Sequence, residues 1–483
     1  YDSKRMSVKE FTFVIVGGGI AGVSCIEQLS FLCQDHESIL LITSSPVVKI
    51  ATNLKHITDS LAEFDLKEAD ASSWSKRFKR LQVIYGAVKK LDMKSRVLEI
   101  HGEGLVKFEK VCICAGGVPK YPFSCSPHVI TIRDTESVQR LQNMVQDSRR
   151  VVVVGNGGIA TELVQELQNV EVIWAVKDKS ITHKFLDAGA AEFLIKKIAT
   201  SHTEPKDKAT KHQRYSVPGG ESSSKCGVAM GPDWHKNLFL SGSNLERKIE
   251  IEFETEVSAV LSPSELSEDK NDGSWPVYVQ LTNGKLWGCD VMISATGVQP
   301  NSGIWADNNP DLQVAPDGGL LVDDNMMTSV PGVYAAGDVC TAGWKLAPHW
   351  LQMRLWTQAR QMGAFAGKCM YHHYHHPGDK FPQDFCFEVF THVTKFFNTK
   401  VILLGLFNGQ SLDKNKYHLL VRVNPGIEYI KVVIQEGRMQ GAVLLGETGL
   451  EETFENLIMN QIDLSQYGDD LLNPAVDIED YFD

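Results

Sequence analysis

The feature that most constrains the fold is an apolar strand that runs directly into a glycine-rich turn near the start of the chain. Residues 11–16 read Phe-Thr-Phe-Val-Ile-Val, and glycine then stands at positions 17, 19 and 22. In this spacing the first glycine permits a tight turn, the second lets a pyrophosphate approach the backbone, and the third lets the next helix pack closely. The alternative for so short a pattern is a flexible loop. The strand before it favours a phosphate-binding turn made of Gly17, Gly19, Ile20, Ala21 and Gly22.

A second turn of the same kind follows another apolar strand, at residues 151–154. Ala160 replaces the third glycine, which the motif tolerates, and Glu162 follows two residues later. Phosphates bind at the N-terminus of the helix that such a turn begins, because backbone N–H groups point outward there. The two turns together predict two bound dinucleotides, the second held by Gly155, Gly157, Ile159 and Ala160.

Three shorter pieces end an apolar strand in small residues: Ala115 and Gly116, then Gly297, then Gly337 followed by Asp338. A carboxylate at a strand end can accept hydrogen bonds from the hydroxyl groups of a cofactor, and an adjacent glycine lets the cofactor chain lie close. A plain strand and turn explains the Asp338 piece equally well. Because single cores stop growing near ~250 to 300 residues, a chain of 483 residues is expected to form two or three domains.

Composition is ordinary for a globular protein, with 43% hydrophobic and 22% charged residues. No apolar run approaches the ~18 to 20 residues of a membrane-spanning helix, so none is expected. The formal charge is −12, yet residues 177–214 are rich in lysine, which favours specific partners over general nucleic-acid binding. The ten cysteines show no spacing typical of a zinc site or a secreted disulfide framework, so we expect a cytoplasmic and nuclear protein.

Taken together, the five pieces in this order resemble the pyridine nucleotide-disulphide oxidoreductase superfamily over about residues 11–367. The resemblance implies an α/β fold with two Rossmann-like domains in a glutathione-reductase-like arrangement, with FAD on the first turn and NADH or NADPH on the second. It also implies that Asp338 binds FAD and that Glu162 lies near the nicotinamide. The helix that contains Trp356 and Gln358 resembles the one that covers the edge of the flavin ring.

The chain departs from the family where the redox-active cysteines are expected. Neither a C-x-x-C nor a C-x4-C pair occurs, and the nearest pair, Cys112 and Cys114, should point to one face of a strand and stay buried. Residues 45–52, where the pair would stand, contain Lys49 instead. By resemblance to cysteine-free members, Lys49 would stabilise negative charge on the flavin, and the alternative is a solvated loop lysine.

The two positions that recognise ribose also differ from the pattern. The second strand, residues 39–43, ends in Thr43 and Ser44 where an acid is usual, so a hydroxyl group would replace the carboxylate. The corresponding strand of the second turn, residues 172–176, is followed by Lys177 and Lys179. Lysines tolerate or attract a 2′-phosphate, so both NADH and NADPH are plausible, and solvent-facing lysines are the alternative.

Chain order predicts an FAD-binding domain from residues 11–139 and 284–367, interrupted by an NAD(P)H-binding domain at residues 140–283. A polar insertion at about residues 200–225 should be mobile. Residues 383–483 are expected to form an antiparallel α+β domain, with strands at 385–390, 400–405, 418–423 and 429–434, a helix at 450–461 and an acidic tail. The histidines at 372, 373, 375 and 376 are interpreted as a solvated linker, with no metal site expected.

Two functions of different kinds remain. In the first, the chain is an FAD-dependent oxidoreductase that takes hydride from NAD(P)H and acts in redox protection, without a redox-active cysteine pair. Disulphide reduction through other cysteines, such as Cys112 and Cys114, is a less favoured variant of this function. In the second, it is a redox-sensing flavoprotein of slow turnover that binds and protects a protein partner through residues 477–483, where Ile478, Tyr481 and Phe482 alternate with acids. A narrower match to one family member, through residues 231–235, 354–361 and 477–483, implies that this partner is the tRNA-splicing ligase complex.

Overall fold

A computed structural model of the chain describes residues 8–121, 126–198, 230, 234, 239–243, 247–266 and 274–473. The insertion expected at about residues 200–225 and the tail at residues 477–483 lie outside these ranges. Within the described ranges, no helix has both the length and the apolar character that a bilayer crossing requires.

The first unit opens with a sheet whose central strands are parallel. Strands β5, β2, β1 and β8 lie side by side, and β7 and β6 extend the sheet in antiparallel fashion. Phe13, Val14 and Ile15 of β1 are fully buried, as expected for a parallel strand covered on both faces. The elements of this part are β1 Lys9–Val16, α1 Ile20–Leu32, β2 Ile39–Thr43, β3 Val47–His56, β4 Ala62–Asp70, α2 Ala71–Ser75, β5 Leu81–Tyr85, β6 Val88–Asp92, β7 Val97–Ile100, β8 Gly104–Ile113 and β9 Gly117–Pro119.

The second unit contains a five-stranded parallel sheet of order β10-β19-β11-β13-β15 and a three-stranded antiparallel sheet of order β16-β17-β18. Its elements are β10 Val129–Thr131, α3 Thr135–Gln146, β11 Arg150–Val154, α4 Gly158–Glu166, β12 Leu167–Gln168, β13 Glu171–Ala175, α5 Ala188–Ile198, β14 Leu240–Ser241, β15 Lys248–Glu252, β16 Val257–Leu261, β17 Val277–Leu281, β18 Leu286–Cys289 and β19 Val291–Ser294.

Sheet membership corrects both boundaries predicted for this unit. Strands β10, β18 and β19 fall in segments that the sequence had assigned to the first unit, yet β10 and β19 pair within the second parallel sheet and β18 pairs with β17. The chain instead crosses between the units at β9 and at residues 298–300, which pair with each other. The second unit therefore runs from near residue 120 to residue 297.

The chain then returns to the first unit, where β22 pairs with the end of β8 on the side opposite β1. Helix α7 packs against α1 so closely that a Cβ atom on Gly363 would lie 2.1 Å from the carbonyl oxygen of Ala21. Only glycine permits that crossing. The returning elements are β20 Val298–Pro300, α6 Gly303–Ala306, β21 Leu320–Val322, β22 Val333–Ala335, β23 Cys340–Ala342 and α7 Trp356–His375.

The run of histidines forms the last turn of α7, so the linker interpretation is wrong and the first unit extends to residue 375. His373 is buried, and its ring nitrogens lie 2.8 Å from the Tyr334 hydroxyl and 3.1 Å from Asn325 Oδ1. His375 Nε2 lies 2.7 Å from a carboxylate oxygen of Glu37. These contacts give the histidines a packing role. Among the described side chains, no group of three or more ligand-type residues could hold a metal ion.

The C-terminal unit is an antiparallel sheet of order β24-β25-β28-β27-β26 with one helix on it. The predicted strand at residues 385–390 is wrong, because Phe385–Phe387 forms a short 3-10 helix. The other three predicted strands and the helix are present, and two further strands were missed. The elements are β24 Thr391–Phe396, β25 Thr399–Gly405, β26 Tyr417–Asn424, β27 Glu428–Gln435, β28 Arg438–Leu445 and α8 Glu451–Asn460.

The C-terminal unit contacts both other units. Its aromatic residues Phe390, Phe396 and Phe407 belong to the same hydrophobic core as the apolar residues of the second unit. Toward the first unit, the buried carboxylate of Glu455 accepts hydrogen bonds from the Thr58 hydroxyl and, at 2.7 Å, from the Ser60 hydroxyl.

A buried ion pair joins the C-terminal sheet to the second unit. Lys431 of β27 is 1% exposed, and its Nζ lies 2.6 Å from Asp187 Oδ2 at the start of α5. Asp187 also accepts from the Tyr429 hydroxyl at 3.0 Å and from the backbone N–H of Gly189 at 2.9 Å. Burial alone would raise the pKa of Asp187, but the Lys431 ammonium, the backbone N–H of Ala190 and the Tyr429 hydroxyl hold it below its usual value.

We expect Lys431→Met to lower the free energy of unfolding by about 3 to 5 kcal/mol, because it leaves a largely buried carboxylate without its cation. The double variant Lys431→Met/Asp187→Asn should recover most of that loss. In the native chain the contribution of Asp187 is present above its unfolded pKa of about 3.9 and is lost as the pH falls through the lower folded value. Urea unfolding at several pH values measures both effects. A loss below about 1 kcal/mol in the single variant would show that the pair does not stabilise the fold.

Candidate active site

The first glycine turn is shaped by two close backbone approaches. Gly17 has φ +116°, and a Cβ atom there would lie 2.2 Å from the carbonyl oxygen of Cys114. A Cβ atom on Gly22 would lie 1.9 Å from the carbonyl oxygen of Gly17. Gly19 precedes α1, and no side chain in the described ranges caps that helix. The N–H groups of Ile20 and Ala21 are thus available to an anion, which fits a bound pyrophosphate.

The second turn repeats this geometry. Gly155 has φ +133°, and a Cβ atom there would lie 2.2 Å from the carbonyl oxygen of Ala295. Gly157 precedes α4, which begins at Gly158 and continues through Ile159 and Ala160, again without a capping side chain from the described residues. No described atom lies within 4 Å of the position that a Cβ on Gly157 would take. The turn therefore leaves open space in front of the helix.

The polar side chain of Asn156 fixes the second turn from behind. Its Nδ2 donates to Asp178 Oδ2 and to the carbonyl of Ser180, both at 2.8 Å, and its Oδ1 accepts from the N–H of Thr182 at 2.6 Å. Asn156 was not predicted to be functional, since the motif allows any residue there. Its bonds hold the turn against the segment that follows β13, where exposed Lys177 lies.

Both turns open at the junction between the two units. Gly116, with φ +66°, accepts a hydrogen bond at its carbonyl from the N–H of Asn301, and Gly297, with φ +99°, accepts one from Lys120 at 2.9 Å. Ala115 and Gly116 follow the carboxyl end of β8, and Gly297 follows that of β19. The predicted small-residue pieces thus connect the carboxyl ends of both parallel sheets, where ligands of such folds bind.

Asp338 lies at the end of β22, beside the first turn of α1. A Cβ on Gly337, which has φ +79°, would approach the Cβ of Ala21 to 3.0 Å. Burial raises the pKa of the Asp338 carboxyl, and the guanidinium groups of Arg354 and Arg133 oppose this. Arg133 lies near Gly116 and was missed from the sequence, because it belongs to no motif. Arg354 also donates to the backbone carbonyl of Asp338 at 3.0 Å and pairs with Asp317 at 2.8 Å.

Lys49 is 5% exposed, so the interpretation as a solvated loop lysine is wrong. Its backbone N–H donates to the carbonyl of Gly18 at 3.1 Å, which places it directly beside the first turn. Its Nζ lies 2.5 Å from Glu68 Oε1 on the neighbouring strand β4 and 3.4 Å from the Thr135 hydroxyl. Glu68, missed from the sequence, is the carboxylate that pairs with this buried lysine beside the turn.

Glu162 is buried within α4 and accepts a hydrogen bond from the indole Nε1 of Trp234 at 2.5 Å. It therefore lies in the second turn's helix, as its position in the motif predicts. The two residues expected to be catalytic, Lys49 and Glu162, therefore have different partners. Lys49 pairs with Glu68, and Glu162 accepts from Trp234.

Two residues predicted to contact a cofactor instead use their side chains in hydrogen bonds to nearby backbone groups. The hydroxyl of Thr43, which is 2% exposed, donates to the carbonyl of Ser45 at 2.9 Å and accepts from its N–H, which leaves exposed Ser44 as the hydroxyl at that strand end. Gln358 is buried, and its amide bonds to the backbone of Leu351 and Met353, both at 2.7 Å. Both predictions of direct cofactor contact need correction, because these side chains shape the backbone around the site.

The start of α7 was predicted to cover the flavin edge. Trp356, its first residue, is partly exposed, and its ring lies 5.2 Å from that of buried His392 on β24. No side chain in the described part of the chain caps this helix at Leu355. The C-terminal sheet thus meets the first unit at this helix start.

The cysteine pair on β8 has the predicted arrangement. The sulfur atoms of Cys112 and Cys114 lie 3.5 Å apart on one face of the strand, and both residues are buried. The hydrogen bond from Cys112 and burial raise the pKa of Cys114 well above its usual value. Such thiols are poor nucleophiles, so the pair is structural.

Comparison with known proteins gives the family. The family model described as pyridine nucleotide-disulphide oxidoreductase matches residues 11–206 and 239–363. Pyridine nucleotide-disulfide oxidoreductase domain-containing protein 1 of Homo sapiens is 48% identical over 98% of each chain. Two solved structures are similar at 16% identity: a NAD-dependent persulfide reductase from A. fulgidus, with a TM-score of 0.66 over 94% of this chain and 78% of that one, and an engineered water-forming NADPH oxidase, with 0.65 over 97% and 95%.

The glycine cradles, the uncapped helix starts and the buried lysine fit a chain that holds a flavin and a nicotinamide cofactor at one junction. The cofactors are FAD and NAD(P)H, and the activity is that of a pyridine nucleotide-dependent flavoprotein oxidoreductase. The chain belongs to the pyridine nucleotide-disulphide oxidoreductase family.

Proposed function

We propose that the chain is an FAD-dependent NAD(P)H oxidoreductase that works without a redox-active cysteine pair. The observation that carries the proposal is the convergence of both glycine turns on one junction, with buried Lys49 beside the first. When bound there, FAD accepts hydride from NAD(P)H. The two parallel sheets would then act as Rossmann-like FAD and NAD(P)H domains, with the C-terminal unit covering the start of α7.

The first unit would hold FAD through groups that the structure leaves accessible. Backbone N–H groups at Gly19, Ile20 and Ala21 would bind the pyrophosphate, and the Ser44 hydroxyl would contact the ribose. The Asp338 carboxylate would accept from ribityl hydroxyl groups. Ala115, Gly116 and Trp356 would contact the ring at the junction.

The second unit would hold the nicotinamide cofactor in the same way. The open space in front of Gly157 fits a pyrophosphate, with Ile159 and Ala160 in the helical turn behind it. Exposed Lys177 follows β13 and would contact the adenosine ribose or its 2′-phosphate. Gly297 gives room for the nicotinamide end, and Glu162 would orient that end from α4.

Lys49 would stabilise the negative charge that arrives on the ring with the hydride. An ammonium group acts strongly when it is already positioned and shielded from water, and Glu68 provides that positioning. Since the described cysteines near the first turn are buried, electrons would leave to an external acceptor: oxygen, a quinone or a protein thiol.

A second candidate function is a redox sensor of slow turnover that binds a protein partner through residues 477–483. The burial of the described cysteines beside the first turn favours it, because reduction would then persist. We propose redox protection of that partner in cytoplasm and nucleus, with the tRNA-splicing ligase complex as the partner that the sequence resemblance predicts.

The proposed function is tested by anaerobic titration of the purified protein with NADH and with NADPH. Flavin absorbance should bleach with at least one of them and return when air or a quinone is admitted. Bleaching that persists after air or a quinone is admitted, with little steady NAD(P)H oxidation, favours the sensor. Colourless protein that does not bind added FAD contradicts both functions.

We expect Lys49→Met to slow flavin bleaching by NAD(P)H about 10- to 100-fold and to lower the flavin midpoint potential, because one preorganised positive charge is lost. FAD content should stay unchanged. The double variant Lys49→Met/Glu68→Gln removes the carboxylate that would otherwise be left unpaired, so it separates charge loss from misfolding. The matched control is Lys55→Met, an exposed lysine on the same strand. Equal potentials in all four proteins would remove Lys49 from the mechanism.

We expect Gly157→Val to weaken NAD(P)H binding roughly 10- to 100-fold, the equivalent of an overpacking cost of about 1 to 3 kcal/mol, because the new side chain fills the space before α4. The φ of Gly157 is −101°, which valine adopts, so folding and FAD content should be unchanged. Gly303→Ala on α6 is the control. Titration of the flavin charge-transfer band measures affinity, and unchanged affinity would contradict the assignment of this turn.

A further inference from the structure

Strand β26 presents an uncovered apolar face. Its side chains alternate, and Leu419, Val421 and Val423 point to one face with 46%, 48% and 49% of their surfaces exposed. Ile427, in the turn after the strand, is 64% exposed. Single exposed apolar residues are common, but a row of them along one strand indicates a surface that something covers.

The exposed row on β26 lies beside residues of β27 that are buried against the second unit. In the register of the sheet, Leu419 pairs with Val433, Val421 with Lys431 and Val423 with Tyr429. The neighbours on β27 are buried, and Lys431 and Tyr429 bond to Asp187 of the second unit. The second unit therefore covers this face of the sheet at β27, whereas the same face is exposed at the last strand, β26.

The outer edge of β26 is also open. In the described part of the chain β26 pairs only with β27 and ends the sheet. An edge strand of eight residues with an apolar face is a template for another strand, and proteins normally cover such edges. The open edge offers backbone hydrogen bonds beside the apolar row.

The described part of the chain ends close to this edge. Leu471 and Leu472 are buried in the core beneath the C-terminal sheet, and the guanidinium of Arg422 on β26 donates to the carbonyl of Leu472 at 3.1 Å. Ten residues, 474–483, follow Asn473. In extended form they reach about 33 Å, and the eight residues of β26 span about 27 Å.

The sequence of these ten residues is compatible with pairing at this edge. Val476, Ile478 and Phe482 share one strand register, which also contains Asp480. The other register contains Asp477, Glu479, Tyr481 and Asp483. Beside the strand, the side chains of Lys414, Lys416 and His418 are exposed. An added strand would therefore place apolar residues beside Val421 and acids near basic side chains.

We propose that residues 474–483 pair with the outer edge of β26 and cover Leu419, Val421 and Val423 in the free protein. The tail is then bound to its own chain, and any partner that takes it must first detach it from β26. This inference does not rest on the proposed oxidoreductase activity, since it involves neither glycine turn.

The test uses the FAD-loaded full chain and a form truncated after Asn473. A fluorescent synthetic peptide of residues 474–483 should bind the truncated form and bind the full chain at least about tenfold more weakly, because the tethered tail competes at high effective concentration. Hydrogen exchange at residues 417–424 should be faster in the truncated form. Flavin content and NAD(P)H bleaching of both forms report folding independently.

Substitutions locate the contact. Val421→Lys in the truncated form should abolish peptide binding, whereas Phe31→Lys, which changes an apolar residue 85% exposed on α1, should not. Equal peptide binding by both chains, no binding by the truncated chain, or binding unaffected by Val421→Lys would overturn the proposal. So would a full-length dimer that Val421→Lys dissociates, since a second copy would then cover the face.

Discussion

Two backbone contacts determine where everything else in this molecule can lie. In each parallel sheet, the carbonyl at the end of one strand comes so near the first glycine of the adjacent turn that a side chain would meet it at 2.2 Å. Each contact forces the chain away from its sheet and into a helix whose first N–H groups face outward. Because the same strand ends continue into the paired crossings β9 and β20, the two helix starts face one junction. Asp338 and the buried Lys49 both lie beside the first of these turns.

The absence of the family's usual cysteine pair changes what the first unit must stabilise. A thiol pair would accept electrons within the chain, but the described cysteines nearest the first turn lie beneath it with raised pKa values. Lys49 occupies the vacated region as a buried cation, and Glu68 and Thr135 compensate its desolvation. Where the family's cysteine pair would stand, this segment therefore contains a buried lysine–glutamate ion pair.

The glycine turns could be predicted from sequence because their spacing reports a backbone requirement that few other structures share. The domain boundaries could not, since β10, β18 and β19 are strands of three or four residues whose sheet is decided by long-range pairing. Thr43 and Gln358 have the right residue types for ligands, yet local hydrogen bonds use their side chains, and only geometry shows this. Glu68 and Arg133 were missed because ion pairing across distant segments leaves no motif. The segment 385–390 has the apolar content of a strand, but its residues 385–387 instead form a short helix before β24.

The C-terminal unit contacts both cofactor-binding units at once, through Asp187 and Lys431 on one side and through Glu455, Thr58 and Ser60 on the other. It therefore connects the two units across their junction. A rotation of one unit against the other would have to break either a shared hydrophobic core or a buried carboxylate's hydrogen bonds. The hydrogen bonds and apolar contacts of the C-terminal unit therefore oppose any change in the relative orientation of the other two units.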